Sequence, residues 1–157
     1  MSEIWQLSAT ELARRIALRQ ISSAEVVDAH LARINAVNPV LNAVVQVLAD
    51  EARASAVLAD KRLAAGELVG PLHGVPFTVE KNIDIAGLPT TWGVRALAKT
   101  VAPADAPVVE RMRRRRNTDR PHQSVRHGVV RSRRYLPAWT HAKSLASRSH
   151  RRRLQRR

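Results

Sequence analysis

The chain has 157 residues, 27 Lys/Arg against 13 Asp/Glu, and a formal net charge of +14 at pH 7. That length fits one domain, and 45% hydrophobic residues can build a core although aromatics make up only 3%. Without cysteine, a disulfide scaffold and a cysteine-ligated zinc site are excluded, and no apolar run nears the ~18 residues of a membrane span. The opening Met1-Ser2-Glu3-Ile4-Trp5 lacks the basic-then-apolar layout of a secretory signal. A soluble cytoplasmic chain or a nucleic-acid-binding polycation is expected.

Taken in chain order, Ser8 with Glu11 forms a capping-box pattern ahead of a helix over Ala9 to Leu18. Ser22 with Glu25 repeats the signal. Val27, Leu31 and Ile34 then recur at i, i+4, i+7, one apolar stripe on a second helix. Asn38-Pro39 is expected to end it, because the residue before proline resists the α region. Leu41 to Val47 is valine-rich and reads as a strand. Residues 50–65 read as an alanine-rich helix stopped by Gly66. A Pro/Gly-rich stretch, Gly70 to Pro76, leads into a short buried strand, Phe77-Thr78-Val79, and a loop from Asp84 to Gly93. Asp105 is placed to cap a last helix, with Pro107 in its first turn and Val108, Val109 and Met112 on one face.

The charge divides sharply. Residues 1–112 hold 11 Lys/Arg and 12 Asp/Glu, a net of −1; residues 113–157 hold 16 Lys/Arg and only Asp119, a net of +15. Fifteen of those sixteen are Arg, beside Lys143, and four of the six His lie there too. The chain is therefore read as a folded α/β portion, 1–112, joined to an Arg-rich tail, 113–157, expected to be disordered.

The run Gly70-Pro71-Leu72-His73-Gly74-Val75-Pro76-Phe77-Thr78-Val79, then Asn82-Ile83-Asp84, Ala86-Gly87 and Pro89-Thr90-Thr91-Trp92-Gly93, resembles the amidase signature family. So do Ser23 to Val27 near the start and Ala102 to Arg111 near the end, so the resemblance covers residues 5–112. It implies an α/β fold, the N-terminal part of a mixed β-sheet surrounded by helices. It also implies an amide hydrolase with a Ser–Ser–Lys triad, acting on a small-molecule amide without a cofactor. Such chemistry needs a serine nucleophile, a lysine able to accept a proton, a bridging serine, and backbone amides that hold the oxyanion. The resemblance puts the lysine at the end of the strand after Val79 and the serines downstream, one in a GGSSGG-type loop not readable in this chain. The family order is Val, Lys, Asp or Glu, Asn; here it is Val79, Glu80, Lys81, Asn82. Glu80 thus takes the lysine's place. Lys81, the catalytic candidate, is expected to point to the opposite face of the strand unless a bulge shifts the register.

The tail is expected to be amidase coding sequence translated one base out of register. Read from the second base of the Arg114 codon, synonymous codons for Arg114 to His127 can encode AGAIPIGRTNLSDM. Those from His141 onward can encode a stretch RNPWRPDRTAGGSSGG, which contains the missing loop. Arg codons of the CGN type become Gly or other GNC codons under this shift, which accounts for the arginines. On this reading the chain stops short of both serines and is inactive.

The alternative is binding. Arg113 to Arg116 and Arg151-Arg152-Arg153, with Tyr135 or Trp139 stacking on bases, would hold nucleic acid non-specifically through phosphates. His122, His127, His141 and His150 show no ligand-like spacing, so no metal site is expected. His30 reads as a half-buried structural residue, His73 as a loop hydrogen-bonding residue and Asp84 as a turn-ordering one. Trp5 is expected to anchor the first helix, and Trp92 to pack in the loop near the family's pocket.

Overall fold

The structure, a computed structural model, describes residues 3–114 and 129–132, with side chains through Arg113. Three helices open it: α1 (Ala9–Ala17), α2 (Ser23–Leu41) and, after the strand β1 (Val44–Val47), α3 (Ala49–Ala64). β2 (Phe77–Glu80), α4 (Pro107–Arg114) and β3 (Val129–Ser132) complete the order. Short 3₁₀ turns lie at Ile4–Gln6 and Arg95–Leu97.

Local chemistry sets the starts of α1 and α2 and the ends of α1 and α3. Ser8 Oγ accepts the Glu11 amide, and Ser22 and Glu25 form a complete capping box. Asp60 of α3 satisfies further first-turn amides of α2: Ser23 N–H donates to Oδ1 (2.7 Å) and Ala24 N–H to Oδ2 (3.1 Å). A carboxylate at a helix N-terminus also suits the dipole. α3 closes in a Schellman arrangement, with Gly66 at φ +72° and the amides of Gly66 and Glu67 donating to Leu63 and Arg62 carbonyls. α1 closes the same way around Arg19, at φ +55°. The Arg19 guanidinium in turn donates to the Leu63 carbonyl of α3 (2.8 Å).

Pro39 does not end α2, which runs on to Leu41 before Asn42 adopts a left-handed conformation at φ +48°. A proline this near the end removes one amide from the ladder, and the sterics at Asn38 are a bias, not a prohibition. Asn38 is held from outside: its side-chain amide donates to the Val44 carbonyl (2.9 Å) and its Oδ1 accepts the Val44 amide (2.8 Å). That pair of bonds pins the start of β1, so the strand is shorter than Leu41 to Val47.

One core joins α1, α2 and the loop before β2 through Leu12, Ile16, Val26 and Val75, with Ile4, Leu7, Ile21 and Leu63 against it. Burying a side chain such as Ile16 stabilises by about 1.5–3 kcal/mol. A second joins Val27 and Leu31 of α2 to Ala52 and Ala56 of α3, small residues that let the helices approach closely. A third sets Val79 of β2 against Ile85 and Val109, flanked by Leu48, Phe77 and Leu88. In α4 the buried valine is Val109 alone; Val108 is exposed, one ~100° step round the helix from its neighbour. Asp105 does not cap α4. It accepts the Ala86 amide (2.8 Å) and the Arg113 guanidinium (2.5 Å), tying the loop to the helix from an almost buried position.

The sheet has the order β1-β3-β2. β3 runs antiparallel to β1, with a register shift between Val44 and Gln46, and parallel to β2 from Phe77↔Val129 to Glu80↔Ser132. Four residues of the Arg-rich segment therefore form a strand, an element absent from the sequence reading. The rest of that segment beyond Arg114 lies outside the described residues.

Candidate active site

The candidate site is the C-terminal end of β2. What holds the strand is the preceding loop. His73 is buried, and its Nε2–H donates to the Ala59 carbonyl of α3 (2.9 Å), which ties the loop to that helix. Gly74 sits at φ +75° against fully buried Ser23; a Cβ there would lie 2.1 Å from Ser23 Oγ. Both residues thus clamp the strand's approach onto α2 and α3, and Val75 enters the helical core.

Along β2 the pleat alternates. Phe77 and Val79 face the core with Ile85 and Val109, while Thr78 is exposed and Glu80, half-buried, shares its face. The pairing with β3 is unbroken through Glu80, so no bulge shifts β2; the irregularity lies in β1. Lys81 is the first residue past the strand, half-buried in a turn closed by the Ile83 amide donating to the Glu80 carbonyl (3.1 Å). The side chain that the pleat sends to the face opposite the core is Glu80. Next to the turn, Asn82 Oδ1 is buried without a hydrogen-bond partner among the described residues, and so is Thr90 Oγ1 in the following loop. Buried polar atoms of this kind are rare; both residues lie in the runs that carry the family resemblance, but the sequence reading assigned neither a role.

The other candidates sit elsewhere. His30 is half-buried, with Nδ1 2.7 Å from the Val26 carbonyl one helical turn before it. Asp84 is exposed. Trp5 stacks under the Arg33 guanidinium, 4.2 Å from the ring centroid, and so fastens the N-terminal turn to α2 rather than to α1. Trp92 does not pack: it is 67% exposed at φ +50°. Two surface grooves, of 370 and 480 Å³, lie along α2, one beside Pro39 and Val47 and the other beneath Trp5; neither includes Glu80 or Lys81. His122, His127, His141, His150, Tyr135, Trp139 and Arg151 to Arg153 lie outside the described residues. No helix among the described residues is long and apolar enough to cross a membrane.

Comparison with known proteins identifies a family and a fold. The sequence profile of the Amidase family matches residues 25–115. The chain is 48% identical over 111 residues to an indoleacetamide hydrolase of Bradyrhizobium diazoefficiens, covering 71% of this chain and 21% of that protein. It is 42% identical over 107 residues to an acylamidase of Rhodococcus erythropolis, covering 68% and 22%. Among solved structures, a bacterial aryl acylamidase of the amidase signature family superposes with a TM-score of 0.70 at 29% identity, over 83% of this chain and 26% of that one. The chain spans about a fifth of the length of the curated relatives it matches.

Proposed function

Because this chain belongs to the amidase family, we propose that it is the N-terminal portion of an enzyme that hydrolyses carbon–nitrogen amide bonds through a covalent acyl-serine. The substrate is a small amide, as the name of the indoleacetamide hydrolase indicates for that relative. In the present chain the Arg-rich segment replaces the family's continuation, and with it both serines, so the chain is inactive. The observation that carries this reading is a coincidence of position: the family match stops at residue 115, and the shifted frame that restores family-like sequence starts within the Arg114 codon. Arg113, still in frame, makes its ion pair with Asp105, which fits a head that extends that far.

The chemistry available at β2 supports inactivity on its own account. A Ser–Ser–Lys mechanism needs an amine that can lose and regain a proton beside the nucleophile. The position that shares the open face with Thr78 carries a carboxylate, Glu80, which would accept a proton but cannot donate one while ionised. Lys81 is the catalytic lysine available to this chain, and it must reach the site from the turn.

Two measurements test the reading. Resequencing the gene across the codons for Glu110 to Arg120 is expected to reveal one base gained or lost, with the open frame continuing through the GGSSGG loop. The purified 157-residue chain is expected to show no turnover of small aryl or acyl amides. Hydrolysis that Lys81→Ala abolishes overturns the proposed inactivity. An unaltered frame overturns the out-of-register origin and leaves salt-dependent phosphate binding by the +15 segment as the activity to measure.

A further inference from the structure

Between β2 and α4 the chain builds an arm. The Gly87 amide donates to the Ala102 carbonyl (2.9 Å), the Ala102 amide to the Leu88 carbonyl (3.1 Å) and the Thr90 amide to the Thr100 carbonyl (3.2 Å), around an antiparallel bridge at Pro89↔Val101. Its base is anchored: Ile85 and Ala102 are buried, and the Ala86 amide bonds to Asp105. Its tip, Thr91 to Lys99, is turned back by the Val94 amide donating to the Thr91 carbonyl (2.6 Å) and by the 3₁₀ turn Arg95–Leu97. A fastened stem thus holds the tip away from the core.

The arm displays two kinds of side chain. Trp92, Val94 and Val101 are exposed, and Trp92 stands at φ +50°, a conformation uncommon for a bulky residue. Arg95 and Lys99 are exposed beside them, and neither is in an ion pair among the described residues. No acidic residue occurs between Asp84 and Asp105, so these two cations are the only charged residues from Ile85 to Ala104.

We propose that the arm tip docks on an anionic bilayer surface, with Trp92 inserted at the level of the headgroups. An indole with short aliphatic neighbours suits the boundary between headgroups and acyl chains, and Arg and Lys beside it reach the lipid phosphates. Stacking on nucleic acid would use Trp92 and the two cations but leave Val94 and Val101 in water. Stable attachment of a peripheral protein takes two signals. The +15 of residues 113–157 is the second, joined to the arm through the short helix α4. That segment acts here through its charge alone, so the inference holds whichever frame encodes it.

The test co-sediments the full 157-residue chain with phosphatidylcholine vesicles containing phosphatidylglycerol, at physiological salt. Trp92→Ala is expected to weaken partition at least about tenfold, because a Trp side chain carries a large apolar area. Arg95→Gln and Lys99→Gln are expected to weaken it about fivefold each, the usual contribution of a cation near such a surface. Lipids brominated on the acyl chain near the headgroup should quench the fluorescence of the unmodified chain and of Trp5→Phe alike, and that of Trp92→Ala far less. Affinity for a short DNA duplex, which the basic segment supplies without the arm, should not change in Trp92→Ala. If Trp92→Ala loses helix content, Trp92→Gly, suited to φ +50°, replaces it. Vesicle partition that survives removal of Trp92 overturns the proposal. Equal losses of vesicle and DNA affinity overturn it too, and assign the tip to nucleic acid.

Discussion

In the layer formed by α1, α2 and α3, helix ends meet partners supplied nearby: Ser8 and Ser22 cap their own helices, Asp60 caps α2, and Arg19 bonds the end of α3. In the sheet, β1 and β2 wait for a strand from beyond the compositional boundary, and the loop between β2 and α4 leaves Trp92, Val94 and Val101 exposed. The layer is finished by its own residues. The sheet is completed by a strand from the far side of that boundary.

Paired cavity mutations read this contrast most directly. Ile16 and Ile85 are both almost fully buried, but Ile16 sits among three helical segments and Ile85 under a loop and α4. Ile→Ala in a core costs about 2–5 kcal/mol, depending on how far the site can collapse. Ile16→Ala is expected near the upper end and Ile85→Ala near the lower, measured by urea unfolding followed by far-UV circular dichroism. Equal costs would mean that the sheet region is as tightly packed as the helices.

Gly74→Ala tests the clamp between the two regions. The new Cβ meets Ser23 Oγ at 2.1 Å from a backbone at φ +75°, so strain and overpacking together are expected to cost about 2–4 kcal/mol. Loss of amide-exchange protection in Phe77–Glu80 should accompany the lower urea midpoint. A neutral Gly74→Ala would show that the loop can lift away from α2 without consequence.

The smallest effect is electrostatic and confined to α1. Hydrogen bonds from Arg14 and then Arg15 hold the Glu11 carboxyl pKa at about 2, down from 4.5. Because the folded value is depressed, the contribution is complete above pH 4.5 and disappears as pH falls from there toward 2. The group is solvent-screened, so the effect is small. Glu11→Gln should flatten that part of the acid-unfolding curve and leave the neutral-pH midpoint almost unchanged.

Legibility in the sequence follows the same division. α1, the start of α2, α3 and the Gly66 stop were readable because capping and periodicity are local, and each signal lies within a few residues of what it controls. The end of α2 was misread at Pro39 because Asn38 draws its support from Val44, a contact that helix rules do not contain. Asp105 resembled a cap but bonds across to Ala86 and Arg113, and Trp92 resembled a packing residue but stays in solvent. Both depend on what lies opposite in space. β3 had no signal at all: four residues in an arginine-rich stretch become a strand because two edges are available to pair with them. At the site, the order Glu80-Lys81 was readable at once, whereas the turn that removes Lys81 from the pleat was not.

The position of β3 has a consequence in time. On a ribosome the helical layer can close once Val75 has emerged, but 48 residues separate the end of β2 at Glu80 from the start of β3 at Val129. At about 5–20 residues per second, β1 and β2 stand unpaired for roughly 2–10 seconds of synthesis. Nascent chains of this protein therefore present open backbone edges during the window when chaperones and neighbouring chains can reach them.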